Sequence, residues 1–247
     1  MTNADPSPEV EIERLRQEVR RQSEQANAEF EEFISMTAHD LREPLRDVAA
    51  NSQLLAETCA ARLDADAVVF LDRIQQAAVS AQTILAAVVD YWDNGNGGRQ
   101  PSPTDMETVL CQALLRAGKQ IDARHAIVTH DPMPRVCGDL ELLTKVLHHL
   151  IRNAIEYGSA TSPQVHVSSR RVDSGMEISV SDNGPGIEPA LQGRVFGPFK
   201  RLHGREYPGN GLGLAFCKKA IEGLGGRLWV ESVPGSGATF SFTLPAA

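Results

Sequence analysis

The stretch FISMTAHDLREPLRDVA, residues 33–49, has helical spacing throughout, yet it carries a proline at 44 and a histidine followed by an acid at 39 and 40. Phe30, Ile34, Leu41, Leu45, Val48 and Leu55 recur three, four or seven residues apart and make one apolar face. At about 100° per residue, His39 lies roughly 200° around the axis from Leu41, on the side shared by Glu43 and Arg46. The periodicity predicts a solvent-facing histidine rather than a packed one. A proline inside a helix costs roughly 3 kcal/mol, so Pro44 asks for a reason.

On the N-terminal side, Ile12, Leu15, Val19, Ala26 and Phe33 fall near heptad a and d positions, with Gln22 interrupting the stripe. Residues 1–28 are therefore expected to hold an N-terminal helix, either simply solvated or paired as a coiled coil. On the other side, LDADAVVFLDRIQQAAVSAQTILAAVVDYW predicts a second long helix. Its stripe is Phe70, Leu71, Ile74, Ala78, Ala81, Leu85, Val88 and Trp92, with Asp64 or Asp66 as the cap. Two such helices cannot bury both apolar faces by themselves, so residues 29–94 are expected to close a four-helix bundle as a homodimer. DNGNGGRQPSPTD, dense in Gly, Pro and Asn, suggests a linker over residues 95–104. Residues 105–247 then alternate helices near 105–120, 139–157 and 211–224 with strands near 126–138, 164–172 and 176–182, closing on RLWVES and ATFSFTLP. That order predicts an α/β sandwich with helices over one face of a mixed sheet.

The formal charge of −8 over 247 residues, with no dense Lys/Arg block, argues against nucleic acid or an anionic membrane as the main partner. Neither a leader-like apolar run nor a span of roughly 20 apolar residues occurs, so a cytoplasmic location without membrane insertion is expected. Cys59, Cys111, Cys137 and Cys217 are scattered, with no spacing that suits zinc.

Three motifs in the second half carry chemistry: LHHLIRNAIEYG, VSDNGPGI and PGNGLGLAFCKKAIE. Asp182 can accept a hydrogen bond from an exocyclic amine, and Gly184 and Gly186 allow backbone to approach a flat ring; a simple turn is the plainer alternative. Gly209, Gly211 and Gly213 lead into a helix whose free N–H groups suit a polyphosphate; an ordinary helix start with close packing is the plainer alternative. Asn153 offers an amide oxygen to a hard cation such as Mg²⁺, although taken singly a capping or surface role is the plainer reading. No GxxxxGK[ST] occurs, and GNGLGL follows a loop rather than a strand, so neither a Walker A nor a Rossmann site fits.

In order and spacing, these motifs resemble those of the sensor histidine kinases of two-component signalling, from about residue 28 onward. AHDLREPL resembles the phosphoacceptor box, LIRNAIEY the N box, DNGPGI the first glycine box, FGPFKRLHG the F box and GNGLGLA the second glycine box. The kinase modules of phytochrome-like sensors share the boxes HDLxEPL and FxRLHxRxEYxGxGLGL. The resemblance implies a helical hairpin for dimerisation and phosphotransfer, then a Bergerat-type ATP-binding domain shared with gyrase-type ATPases. It implies that His39 accepts the ATP γ-phosphoryl group with Asp40 as its base, and that the group passes to an aspartate of a separate response-regulator receiver domain. It also implies that Asn153 holds Mg²⁺, that Asp182 reads adenine beside Tyr157, and that Gly184, Gly186, Gly209, Gly211, Leu212 and Gly213 line the nucleotide. Lys200 and Arg201 either reach phosphates from the lid or stay solvated. Pro44 would bend the helix beside the reactive histidine, its cost serving movement between two arrangements. Input would come from a separate sensor or regulator protein.

The pattern departs from the family at three places. His149 replaces the first Asn of the N box, where the gyrase-type hydrolases place a water-activating Glu. Glu156 replaces a Lys that resembles a phosphate contact, and a carboxylate there would repel triphosphate unless it turned to solvent. Glu43 stands where some kinases carry a Thr or Asn that supports phosphatase activity. A pseudokinase scaffold and a gyrase-type ATPase are the competing expectations.

Overall fold

The computed structural model describes residues 8–59, 63–93, 101–159, 161–200 and 211–247, and the chain divides into two compact units, Met1–Asp93 and Asn94–Ala247. The first is a helical hairpin of α1 (Pro8–Thr58) and α2 (Ala65–Asp93). Helix α1 runs unbroken across the 28/29 boundary and through Pro44. The hairpin closes on small residues: Ala38 and Ser52 of α1 and Ala78 of α2 are buried, and the Ser52 hydroxyl donates to the Val48 carbonyl (2.7 Å). Of the two cap candidates Asp64 is the one used, its carboxylate accepting the Ala67 N–H at 2.8 Å. Residues 60–62 of the connecting loop, and the side chains of Ile12, Leu15, Ala26 and Phe30, lie outside the described ones.

The second unit begins earlier than composition suggests. Residues 95–100 lie outside the described ones, but Ser102–Asp105, expected within or beside the linker, form β1, antiparallel to β3 (Arg135–Gly138). Pro103 is compatible with this because a two-stranded edge does not need every N–H. Asp105 caps α3 (Met106–Arg124), and the chain continues as β2 (Ile127–His130), β3, α4 (Leu140–Tyr157), β4 (Gln164–Val172) and β5 (Gly175–Asp182). A short α5 (Pro189–Gln192), then α6 (Gly213–Gly223), β6 (Arg227–Ser232) and β7 (Ala238–Leu244) complete it.

The main sheet has the order β2-β4-β5-β7-β6, with β2 and β4 parallel and the other pairs antiparallel. Alternation sorts its faces. Val167, Val180, Phe240 and Val230 pair in one row and Ile178, Phe242 and Leu228 in the next, all buried. Ser179–Ser241 (2.8 Å), Ser181–Thr239 (2.9 Å) and the Arg170–Glu177 pair (2.7 Å) fill the opposite face. Helix α4 covers the apolar rows with Leu143, Val146, Leu147, Leu150, Ile151, Ala154 and Ile155, a stripe at helical spacing. Each such side chain contributes about 1.5–3 kcal/mol when fully buried. This fixes which face of α4 remains for Asn153 and its neighbours.

Candidate functional site

In the helical unit, the periodicity places His39 correctly: its side chain is 79% exposed on α1. Asp40, 80% exposed, brings Oδ1 to 3.6 Å from His39 Nδ1, an ion-pair distance rather than a hydrogen bond. The acid therefore stands on the Nδ1 side and leaves Nε2 facing away from it. Glu43 and Pro44 are exposed one turn further on, and Pro44 has no N–H to give the carbonyl of Asp40 four residues back.

In the second unit, the predicted nucleotide residues come from α4, the end of β5 and the start of α6. Asp139 caps α4 by accepting the Leu142 N–H (2.8 Å) and so sets the helix register. Asn153 is partly exposed on that helix, with no hydrogen bond to its side chain among the described residues. Asp182 uses Oδ1 twice, accepting the N–H of Gly184 (2.8 Å) and of Ala238 (3.2 Å). Its Oδ2 has no partner among the described residues. Burial pushes the Asp182 carboxyl up, against the two backbone N–H groups, which pull it down. Asn183 knits the same corner, accepting from Ser159 N (3.2 Å) and Gln164 N (3.0 Å) and donating to the Ser162 carbonyl (3.0 Å).

The glycines also serve the packing of the protein itself. A Cβ on Gly184 would lie 2.3 Å from the Tyr157 carbonyl oxygen, and one on Gly186 (φ +74°) 2.3 Å from that of Val233. The first glycine box lets protein backbone, not only a flat ring, come close. Gly211 (φ +71°) packs on the backbone of Phe199 and Lys200, while Gly209 and Arg201 lie outside the described residues. Lys200 is exposed. Helix α6 starts at Gly213 after Leu212, and among the described residues it has no side-chain cap and no acid in its first turn, a charge pattern that suits an anion at this end.

A histidine kinase-, DNA gyrase B- and HSP90-like ATPase model matches residues 138–247, and a His Kinase A phospho-acceptor model matches residues 31–96. Cyanobacterial phytochrome A of Nostoc sp. is 41% identical over 90% of this chain, and the adaptive-response sensory kinase SasA of Parasynechococcus marenigrum is 32% identical over 94%. The chain belongs to the sensor histidine kinases. It spans only 29% of the first of these relatives and 60% of the second. Among solved structures, full-length ShkA in complex with AMPPNP shares the fold at a TM-score of 0.68 (24% identity, 87% of this chain, 47% of that one). The mycobacterial sensor histidine kinase MprB aligns at a TM-score of 0.50 (29% identity, 59% of this chain, 97% of that one).

The chain departs from the common N box in its interior. His149 packs edge-on against Phe216 of α6 (centroids 5.3 Å apart), and its Nδ1 is shut off from solvent without a hydrogen-bond partner among the described residues. Burial, with Arg152, His148 and Lys145 adding to it, pushes the imidazole down to about 3. Its folded-state value therefore lies below the ordinary 6.5, so its contribution to stability is present above about pH 6.5 and is lost as pH falls towards 3. At ~1.4 kcal/mol per unit this amounts to at most roughly 4–5 kcal/mol. His149→Asn is accordingly expected to flatten the fall in melting temperature between about pH 6.5 and pH 4, measured by circular dichroism; an unchanged slope would place the acid sensitivity elsewhere.

Glu156 does not turn to solvent. It is held beside Arg152, with Arg152 Nε and Glu156 Oε1 3.6 Å apart. Arg152 is the residue that motif reading passed over. Its register four residues before Glu156 was visible in the sequence, but its position against α6 was not. Phe196 packs edge-on on Phe240 of β7, with ring centroids 6.2 Å apart.

Proposed function

We propose that this kinase uses ATP to phosphorylate its own His39 and then passes the group to an aspartate of a separate receiver domain. The exposure of His39, with Asp40 on its Nδ1 side, carries this reading. Nε2 is the free nucleophile: it forms a bond to the γ-phosphorus, the bond from that phosphorus to the ADP oxygen breaks, and the Nδ1 proton moves towards the Asp40 carboxylate. Phosphoryl transfer asks mainly for alignment and charge neutralisation. Asp182 Oδ2 would accept the adenine amine, Tyr157 would pack beside the ring, and the open N-terminus of α6 with Gly209, Gly211, Leu212 and Gly213 would receive the phosphates. Gly184 and Gly186 would shape the loop behind Asp182. The donor set also fits Mg²⁺ held by phosphates, waters and the unpaired amide oxygen of Asn153, and the ion would supply charge neutralisation at the transferring group. No cluster of three His, Cys, Asp or Glu residues offers a rival metal cage among the described residues.

The decisive assay incubates the chain with Mg²⁺ and γ-labelled ATP. Protein-bound label that survives base and is lost in acid supports the kinase. Steady phosphate release without labelled protein supports a gyrase-type ATPase, and absence of both supports a pseudokinase scaffold.

A homodimer is part of the same proposal. Leu41, Val48 and Leu55 of α1 and Phe70 and Ile74 of α2 stay between 44% and 58% exposed in the single hairpin, although they lie on its predicted apolar faces. A second hairpin would bury them as a four-helix bundle. Light scattering is expected to give the dimer mass at micromolar concentration, and Leu55→Glu with Ile74→Glu to give the monomer; a monomeric wild type would remove the bundle. None of the described helices is long and apolar enough to cross a membrane.

A further inference from the structure

We propose that Arg152, braced by Glu156, is the cation that binds the terminal phosphates of the nucleotide at the N-terminus of α6. This rests on the ATP reading above and adds to it the source of the positive charge.

Two side chains of α4 converge on the first residue of α6. A Cβ built on Gly213 would lie 3.2 Å from His149 Nδ1 and 3.7 Å from a terminal nitrogen of Arg152. The start of a helix already carries positive partial charge from its unpaired N–H groups. Helix α6 has neither a side-chain cap nor an acid in its first turn to offset that charge. A guanidinium placed there faces like polarity, an arrangement that becomes favourable when an anion lies between the two.

The hydrogen-bond inventory points the same way. Arg152 Nε and His149 Nδ1 are both shut off from solvent, and neither has a hydrogen-bond partner among the described residues. Buried polar atoms rarely remain so unless a ligand or water completes them. Glu156 approaches Arg152 Nε at 3.6 Å, close enough to hold the charge and too far to saturate it as a donor. The two side chains are 26% and 18% exposed, so the pair is restrained yet reachable. Burial pushes the Glu156 carboxyl up and Arg152 pulls it back down, as a bracing partner would.

Arginine suits the task, since its planar fork presents parallel N–H donors to phosphate oxygens. The acid at 156 then ceases to be a defect. It restrains the cation one turn earlier on the same helical face, a spacing at which charged side chains meet.

Calorimetry with the full chain and Mg²⁺, comparing ATP with AMP, tests the assignment. Arg152→Gln is expected to weaken ATP binding about tenfold or more, with AMP changed less than about twofold. Glu156→Gln should weaken ATP by a few-fold, and Arg152→Gln with Glu156→Lys should restore ATP binding, because a cation returns to that face. ATP affinity unchanged in Arg152→Gln, or ATP and AMP weakened equally, overturns the assignment while leaving the nucleotide site intact. A wild type that binds neither ligand overturns the nucleotide reading and this assignment with it. Should Arg152→Gln fail to fold, Glu156→Gln carries the comparison: a selective loss of ATP supports the bracing, and unchanged ATP refutes it.

Discussion

His39→Gln abolishes acid-labile labelling from γ-labelled ATP, a loss of at least about a thousandfold, while ATP affinity stays within about twofold of wild type. The size follows from what the substitution removes. Glutamine keeps helix propensity and polarity but offers no nitrogen lone pair that can hold a phosphoryl group, so no slower route through the same atom remains. Affinity should hold because His39 belongs to the helical unit, whereas every residue proposed for the nucleotide lies in the other. Neighbouring Asp40→Asn should behave differently. The nucleophile survives, but the group that takes up its proton is gone, so the labelling rate should fall by about 10²–10⁴ without a change in the final site. Label that persists in His39→Gln at the wild-type rate would move the reaction to another residue and sink the proposed mechanism.

How much of this was legible in the sequence depended on the range of the interaction. The exposure of His39 follows from angular position on one helix, and the sheet rows follow from alternation within single strands, so both could be read locally. The strand Ser102–Asp105 could not: four residues containing Pro103 in a Gly/Pro-rich stretch look like linker until β3 supplies a partner. Gly184 and Gly186 could be read as positions of close backbone approach, but the atoms that would meet a side chain there, the carbonyl oxygens of Tyr157 and Val233, arrive from distant segments. The same holds for α4. Its register announces that 149, 152, 153 and 156 share a side, yet only the packing of α6 shows that Gly213 lies against His149 and Arg152. Glu156 shows the consequence most directly. Judged as a single departure from a motif it predicts repulsion of phosphate, whereas judged with its partner it becomes a brace.

Asp182→Asn is expected to reverse the base preference of the site rather than merely weaken it. Asp182 Oδ1 is committed to the N–H groups of Gly184 and Ala238, and an asparagine oxygen can take over both bonds. The fold at this corner should therefore survive, with a melting temperature close to wild type. The change falls on the other terminal atom. The acceptor proposed for the adenine amine becomes an NH₂ donor, which would meet that amine with like polarity but could donate to the oxo group of guanine. A site built around one hydrogen-bonding partner rejects the wrong one strongly, because the mismatch leaves desolvated polar groups unpaired. A shift of the ATP-to-GTP affinity ratio by about a hundredfold, with ATP itself weakened by about thirtyfold or more, is the expected size. Asp182→Ala provides the contrast. It strands two backbone N–H groups at about 1–3 kcal/mol each, so it should lower stability as well as binding. Binding of ATP and GTP can be compared by calorimetry and folding by thermal melts. If Asp182→Asn binds ATP as the wild type does, the carboxylate is a structural clamp for the loop around Gly184 and the adenine contact must come from elsewhere.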